Sequence, residues 1–311
     1  MSVPPCQIVA DSLPKGDQGQ NLVTVGFYVT LYFGNGYLPE RRCIAYELFR
    51  EYWSWCGGEL RWTTNIRTHV WQPVTPKHSP EAWLRVQPSE AWVWGITYHG
   101  GAVFDAASAF RIDAVGSGDP ATCYNLSYFN VTFPITWFEH QNEDAPALFL
   151  RWCQMLKPLH GSAGFAIVAP LAQRTESAAA GSVAALARRF PGLEIDNPLS
   201  HSLYLLNGIK SANWLQCLDD ALLARLGGVA AIRERLDSDL FLYEYPGGAV
   251  LQAGLHPETG DANQRIVPQA YRKAAAVLAP VQSEYLNGSG HPVSILGFDE
   301  AGAHAWLHRF D

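Results

Sequence analysis

The twelve residues Leu22 to Phe33, LVTVGFYVTLYF, constrain the fold of this chain more than any other stretch. Val23, Val25, Phe27, Val29, Leu31 and Phe33 fall on alternate positions. A period of two suits a strand and not a helix. Six apolar side chains on one side of a strand require a packed layer above them. GNG at 34–36 supplies a turn, and Pro39-Glu40 opens a helix. Ala45, Leu48, Phe49, Tyr52, Trp53 and Cys56 recur at helical spacing as one apolar stripe, and Gly57-Gly58 stops it.

The same rhythm continues along the chain. Residues 59–90 read as a short strand plus loop. Trp92, Trp94, Ile96 and Tyr98 alternate as a strand, Gly100-Gly101 turns, and a second strand is predicted from Phe104 to Ile112. VGSGDPA at 115–121 is a further turn. Tyr124, Leu126 and Tyr128 alternate, then Phe129, Val131, Phe133 and Ile135 continue in the opposite phase, which predicts a β-bulge. A helix follows Asp144 and Pro146 and ends at Lys157-Pro158. Then come a buried strand in GFAIVAP (164–170), a helix through Val183, Leu186, Ala187 and Phe190, a helix closed by Gly227-Gly228, and a hairpin of LFLYEY (240–245) and AVLQAG (249–254). Pro268 starts a helix carrying Tyr271, Ala274, Ala275 and Leu278, and Asp299 caps a last one. No repeat of 20–50 residues is present. The expectation is a mixed α+β fold of two α/β lobes, with largely antiparallel or mixed sheets flanked by helices. A mobile arm at 1–21 would precede lobes at 22–160 and 161–311.

Of the 311 residues, 48% are hydrophobic and 16% charged, enough to bury a large core. The net charge of -7 argues against direct nucleic-acid binding, which needs clustered Lys and Arg, and suits a basic partner. The start, MSVPPCQIVADSLPKGDQGQ, lacks the charge and apolar pattern of a secretory signal, and no window predicts a membrane span. A cytoplasmic protein is expected, with Cys6, Cys43, Cys56, Cys123, Cys153 and Cys217 as buried thiols.

Catalytic patterns are missing. There is no Walker loop, no GxGxxG opening a helix and no GxSxG. His304 and His308 stand at i, i+4, but HAWLH lacks the glutamate base of a zinc protease. Cys153 has no defensible His partner, since His160 lies beyond Lys157-Pro158. Glu194 and Asp196 alternate in GLEIDN, yet a nuclease-like acidic pair needs a nearby lysine. Lys210 lies in a separate segment, so both acids are expected to be solvated. No catalytic residue, metal or cofactor is expected.

A set of spaced residues carries a resemblance. GIKSANWLQCLDDALLARLGG contributes Gly208, Lys210, Asn213, Trp214, Gly227 and Gly228. GGAVLQAGLHPETGDANQRIVPQAYRKAAAVLAPV contributes Gly247, Gly248, Gln252, Gly254, Gly260, Asp261 and Tyr271. FPGLE at 190–194, HGSAGFA at 160–166 and FYVTLYF near the start are weaker matches in the expected order. Together they resemble the TsiV family of type VI secretion immunity proteins, found beside nuclease effectors of the VRR or restriction-endonuclease type. Residues 59–120 match nothing in it. The resemblance implies a protein, monomer or homodimer, that binds and neutralises a cognate toxin without catalysis, contacting neither nucleic acid nor membrane. The shared residues then read as scaffold, because each blocker recognises a different toxin. Exposed aromatics flanked by acids are the candidate toxin contacts. One stretch offers Trp137, Phe138, Glu139, Glu143 and Asp144, and the other Asp237, Asp239, Tyr243 and Glu244. An effector-loading adaptor or chaperone is the competing reading, and an undescribed hydrolase a third.

Overall fold

A computed structural model describes residues 13–16, 19–65, 68–119, 125–137, 144–283 and 293–311. Its centre is a single, mostly antiparallel sheet. The strands are β1 (Thr24–Phe33), β2 (Trp62–Thr64), β3 (Trp71–Pro73), β4 (Trp94–His99), β5 (Arg111–Gly116), β6 (Ser127–Pro134), β7 (His160–Val168), β8 (Glu194–Ile195), β9 (Leu215–Asp219), β10 (Leu240–Tyr245) and β11 (Gly248–Ala253). Their order is β10-β11-β9-β7-β1-β6-β5-β4-β2-β3, with β8 added parallel to the end of β7. The helices are α1 (Pro39–Cys56), α2 (Pro80–Arg85), α3 (Ala145–Leu156), α4 (Gln173–Arg189), α5 (Pro198–His201), α6 (Asp220–Arg225), α7 (Gly228–Arg235), α8 (Gln269–Leu278) and α9 (Glu300–Leu307).

β1 lies in the middle, paired with β6 on one side and β7 on the other. One face of the sheet meets α1, α3, α6 and α8 in the largest core, where Phe27, Val29 and Leu31 pack with Phe49, Leu148, Leu222 and Tyr271. The other face meets α4 and α9, through Val183, Ala187, Trp306 and Leu307. The opening strand, turn and helix stand where the periodicity places them. β1 differs in being buried on both faces, since Tyr28, Thr30 and Tyr32 are covered too.

That double burial corrects one prediction. β6 pairs with β1 without interruption from Pro134 to Ser127, so there is no bulge. Tyr128 and Phe129 are both buried, on opposite faces, and the apparent phase change is that of a strand with two apolar sides. Three more corrections fall in the stretch from α1 to β6. The segment 80–90 begins with helix α2, capped by Ser79, whose hydroxyl accepts from the Ala82 N–H. β5 starts at Arg111 and not at Phe104, which is 45% exposed. Cys43 is exposed, whereas Cys56, Cys153 and Cys217 are buried. The division expected near 160 falls at the first residue of β7, inside the sheet.

Candidate interaction surface

The register brings together polar residues that are far apart in sequence. Thr97 pairs with Asp113, Asp113 with Asn130, Asn130 with Thr30, Thr30 with Ser162 and Ser162 with Gln216. Paired residues share a face, so six strands contribute one transverse polar row to the sheet. The segment from β8 to β9, with the C-terminal Arg309, lies over it. Asp196 accepts from Thr30 Oγ1 at 2.9 Å and from Asn130 Nδ2 at 2.5 Å. Lys210 forms a 2.6 Å ion pair with Glu194 and donates to the Ile195 carbonyl and to His201 Nδ1. Asn213 donates to Glu194 at 3.0 Å, and Arg309 approaches the same carboxylate at 3.5 Å.

Glu194 and Asp196, expected to be solvated because Lys210 lies in a separate segment, are instead buried, and Lys210 reaches Glu194 from that segment. Their arrangement is a closed one. The cavity beside Asp196, Lys210, Ser162 and Gln216 measures about 10 Å³, room for about one water. Burial pushes the Asp196 carboxyl up, against Lys210 and Arg111. It holds His201 well below the ordinary imidazole value and His160, whose Nε2 donates to the Leu205 carbonyl, down at about 4. Burial likewise raises the Cys153 thiol, next to Cys217, which is the opposite of what a nucleophile needs.

The residues that carry the family resemblance surround this centre and lead out of it. Lys210 and Asn213 hold Glu194. Gly208 is pressed against the Val281 carbonyl, 2.4 Å from where a Cβ would stand, so no side chain fits there. Trp214 Nε1 and Gln252 Nε2 both donate to the Gly254 carbonyl, at 3.0 and 2.9 Å. Gln252 Oε1 then accepts from the hydroxyl of Tyr243, on the outermost strand. Gly227 and Gly228 join α6 to α7, and Gly247 and Gly248 turn β10 into β11. Gly260 and Asp261 shape a turn in which Asp261 caps Asn263 and meets Arg189 at 3.4 Å, and Tyr271 accepts from the Glu258 N–H.

The two acidic-aromatic stretches fare differently. Trp137 is buried, its ring tilted against those of Phe133 and Trp55. Asp144 is exposed at the start of α3, and Phe138, Glu139 and Glu143 lie outside the described residues. Asp237, Asp239, Tyr243 and Glu244 are all exposed and gather at β10. Lys273 sits 2.8 Å from Asp237 and 2.7 Å from Asp239, and Arg233 is 2.6 Å from Glu244. The lysine holds the Asp237 carboxyl below its usual range. Three carboxylates thus face two cations. The His304 and His308 rings lie 4.5 Å apart at a tilt, and His308 pairs with Asp311.

Sequence reasoning missed one concavity. A cleft of about 390 Å³ opens between α2 and strands β2 and β4, walled by Trp83, Trp92, Trp94 and Tyr98, with Lys77 and His78 at its side. Val86, Trp92 and Val93 are exposed there. Only the density of tryptophan between 83 and 94 signals it in the sequence.

Comparison with known proteins bears on this arrangement. A search of curated proteins finds no match. Among solved structures, the chain resembles the T6SS protein PA0821 of Pseudomonas aeruginosa, at 23% identity and a TM-score of 0.82. The likeness covers 96% of this chain and 87% of that one, and establishes a shared fold. A family model described as type VI immunity for VRR-NUC matches residues 44–310, from within α1 to the last turn of the chain. By that match across nearly its whole length, the chain belongs to the TsiV family of type VI immunity proteins.

Proposed function

We propose that this immunity protein neutralises its VRR-NUC effector by binding it directly and covering the surface that the nuclease needs, or by blocking its assembly. The observation that carries the reading is the family match over residues 44–310. Contact is assigned to the β10 end of the sheet, where Asp237, Asp239, Tyr243 and Glu244 are exposed together. A nuclease that grips a phosphate backbone presents basic residues, and the single surplus carboxylate of this group suits them. A non-catalytic role is supported by the closure of the buried polar cluster, whose cavity of about 10 Å³ excludes a substrate. Among the described residues no helix is long and apolar enough to cross a membrane. A cytoplasmic site of action, where a nuclease would meet its target, is part of the proposal.

The test is co-expression with the product of the neighbouring gene, scoring cell survival and co-purification together. Survival with a stable complex supports neutralisation by binding. A complex without survival would replace this reading with that of an adaptor. Survival without a complex would point to an indirect mechanism and remove the assigned contact.

A further inference from the structure

The two ends of the sheet are finished differently. At one end the outermost strand, β3, has three residues and contains Pro73. Short length and proline are the usual devices that stop an edge from recruiting another strand. At the other end β10 has six residues, LFLYEY, with no proline, glycine or lysine. No strand among the described residues pairs with its outer side.

The hydrogen bonds show which backbone groups face outward. The Gly254 N–H donates to the Asp239 carbonyl, and the Ala253 N–H donates to the carbonyl of Trp214, the residue just before β9. Position 254 therefore faces β10, and alternation along an antiparallel ladder turns Gln252, Val250 and Gly248 the same way. Their partners Phe241, Tyr243 and Tyr245 face inward to β11. Leu242 and Glu244 are left with both N–H and C=O directed outward, as is the carbonyl of Leu240. Five backbone groups in a row are set at strand spacing.

We propose that the effector adds a strand of its own to the outer edge of β10, pairing with Leu242 and Glu244. The proposal rests on the neutralisation reading above and specifies how the contact is made. Backbone pairing gives affinity, and the alternate side chains of the edge strand give specificity. Tyr243, 40% exposed and tied through Gln252 to the Gly254 carbonyl, is a pre-positioned aromatic anchor. The three carboxylates and two cations at this end of the sheet leave one negative charge for a basic partner. Charge is thus the lesser contribution, and association is expected to depend only weakly on salt.

The experiment uses the full chain and the neighbouring gene's effector made catalytically inactive. Wild-type binding comes first, because its absence defeats the neutralisation reading and not this one alone. Given binding, Glu244→Pro removes an outward N–H from an edge position that tolerates proline. Affinity is expected to fall at least ~100-fold, while Glu244→Gln, which keeps the N–H, falls less than ~10-fold. An unchanged affinity for the folded proline variant overturns the proposal. Amide exchange of the wild-type protein supplies a readout that does not depend on any variant's folding. The Leu242 and Glu244 amides should exchange fast in the free protein and become protected in the complex. Fast exchange in the complex would overturn the proposal. So would protection that grows with protein concentration in the absence of effector, because a second copy of this chain would then occupy the edge.

Discussion

Lys210 shows how much one residue can decide. Its ammonium is buried against Glu194, the Ile195 carbonyl and His201, and it ties the segment after α5 to β8. Removing one partner of a buried pair leaves the other charge undercompensated, at a cost of about 3–5 kcal/mol, toward the lower end here because Arg309 still lies 3.5 Å from Glu194. Lys210→Met should therefore lower the denaturant midpoint sharply, and Lys210→Met with Glu194→Gln should recover part of the loss. A double variant no more stable than Lys210→Met would show that the loss does not act through the uncompensated Glu194 charge.

His160 makes stability depend on pH. Its folded value of about 4 lies below the ordinary 6.5, because burial disfavours the charged ring. Above about pH 6.5 the ring is neutral in both states and its contribution is complete. As pH falls toward 4, the unfolded chain takes up a proton that the folded protein refuses, and stability is lost at about 1.4 kcal/mol per unit. Asp113 and Asp196, whose carboxyls burial raises, act in the opposite sense. Comparison with His160→Gln, which keeps a donor for Leu205, isolates the histidine. The stability difference between wild type and variant should change by about 2 kcal/mol between about pH 7 and pH 5, to the disadvantage of wild type. A difference independent of pH would mean that the ring is not held neutral.

At the scale of elements, most helices and strands were legible because their cause is local. The stripe of α1, the Asp299 cap that accepts from the Gly302 N–H, and the β10–β11 hairpin all follow from neighbours in sequence. In the hairpin, Pro246 and Gly247 take the two central turn positions, and Gly247 has φ +105. A side chain there is strained by about 1–2 kcal/mol. Gly247→Ala should lower stability by about that amount in thermal or denaturant unfolding, and a neutral result would mean that the turn relaxes. What misled the reading was burial. Period-two alternation reports a strand with one wet face, and β6 has none. α2 was missed because six residues are too few to establish a helical period.

The whole molecule depends on the joining of its halves. β1 and β7 pair from Thr24↔Val168 to Tyr32↔His160, and the main core mixes Phe49 and Trp152 from one half with Trp214 and Leu251 from the other. Fragments 1–159 and 160–311, made alone, would each expose the central edge and the cut face of that core. Neither should show cooperative unfolding by circular dichroism or calorimetry, and the intact protein should unfold in one transition. Independent melting of either fragment would establish a true domain boundary near 160.

The sequence by itself determined the mixed α+β class, the family and the local elements, since hydrophobic period, caps and spaced glycines act over a few residues. Only the tertiary structure decided that Glu194, Asp196 and Lys210 form one buried cluster, that Trp137 is core, and that a polar row crosses six strands. Thr30 and Asn130 are paired across a separation of 100 residues. No local pattern encodes such a partner, because strand register is set jointly by every layer packed on the sheet. The same holds for the edge of β10, whose outward backbone groups become visible only once its pairing with β11 is known.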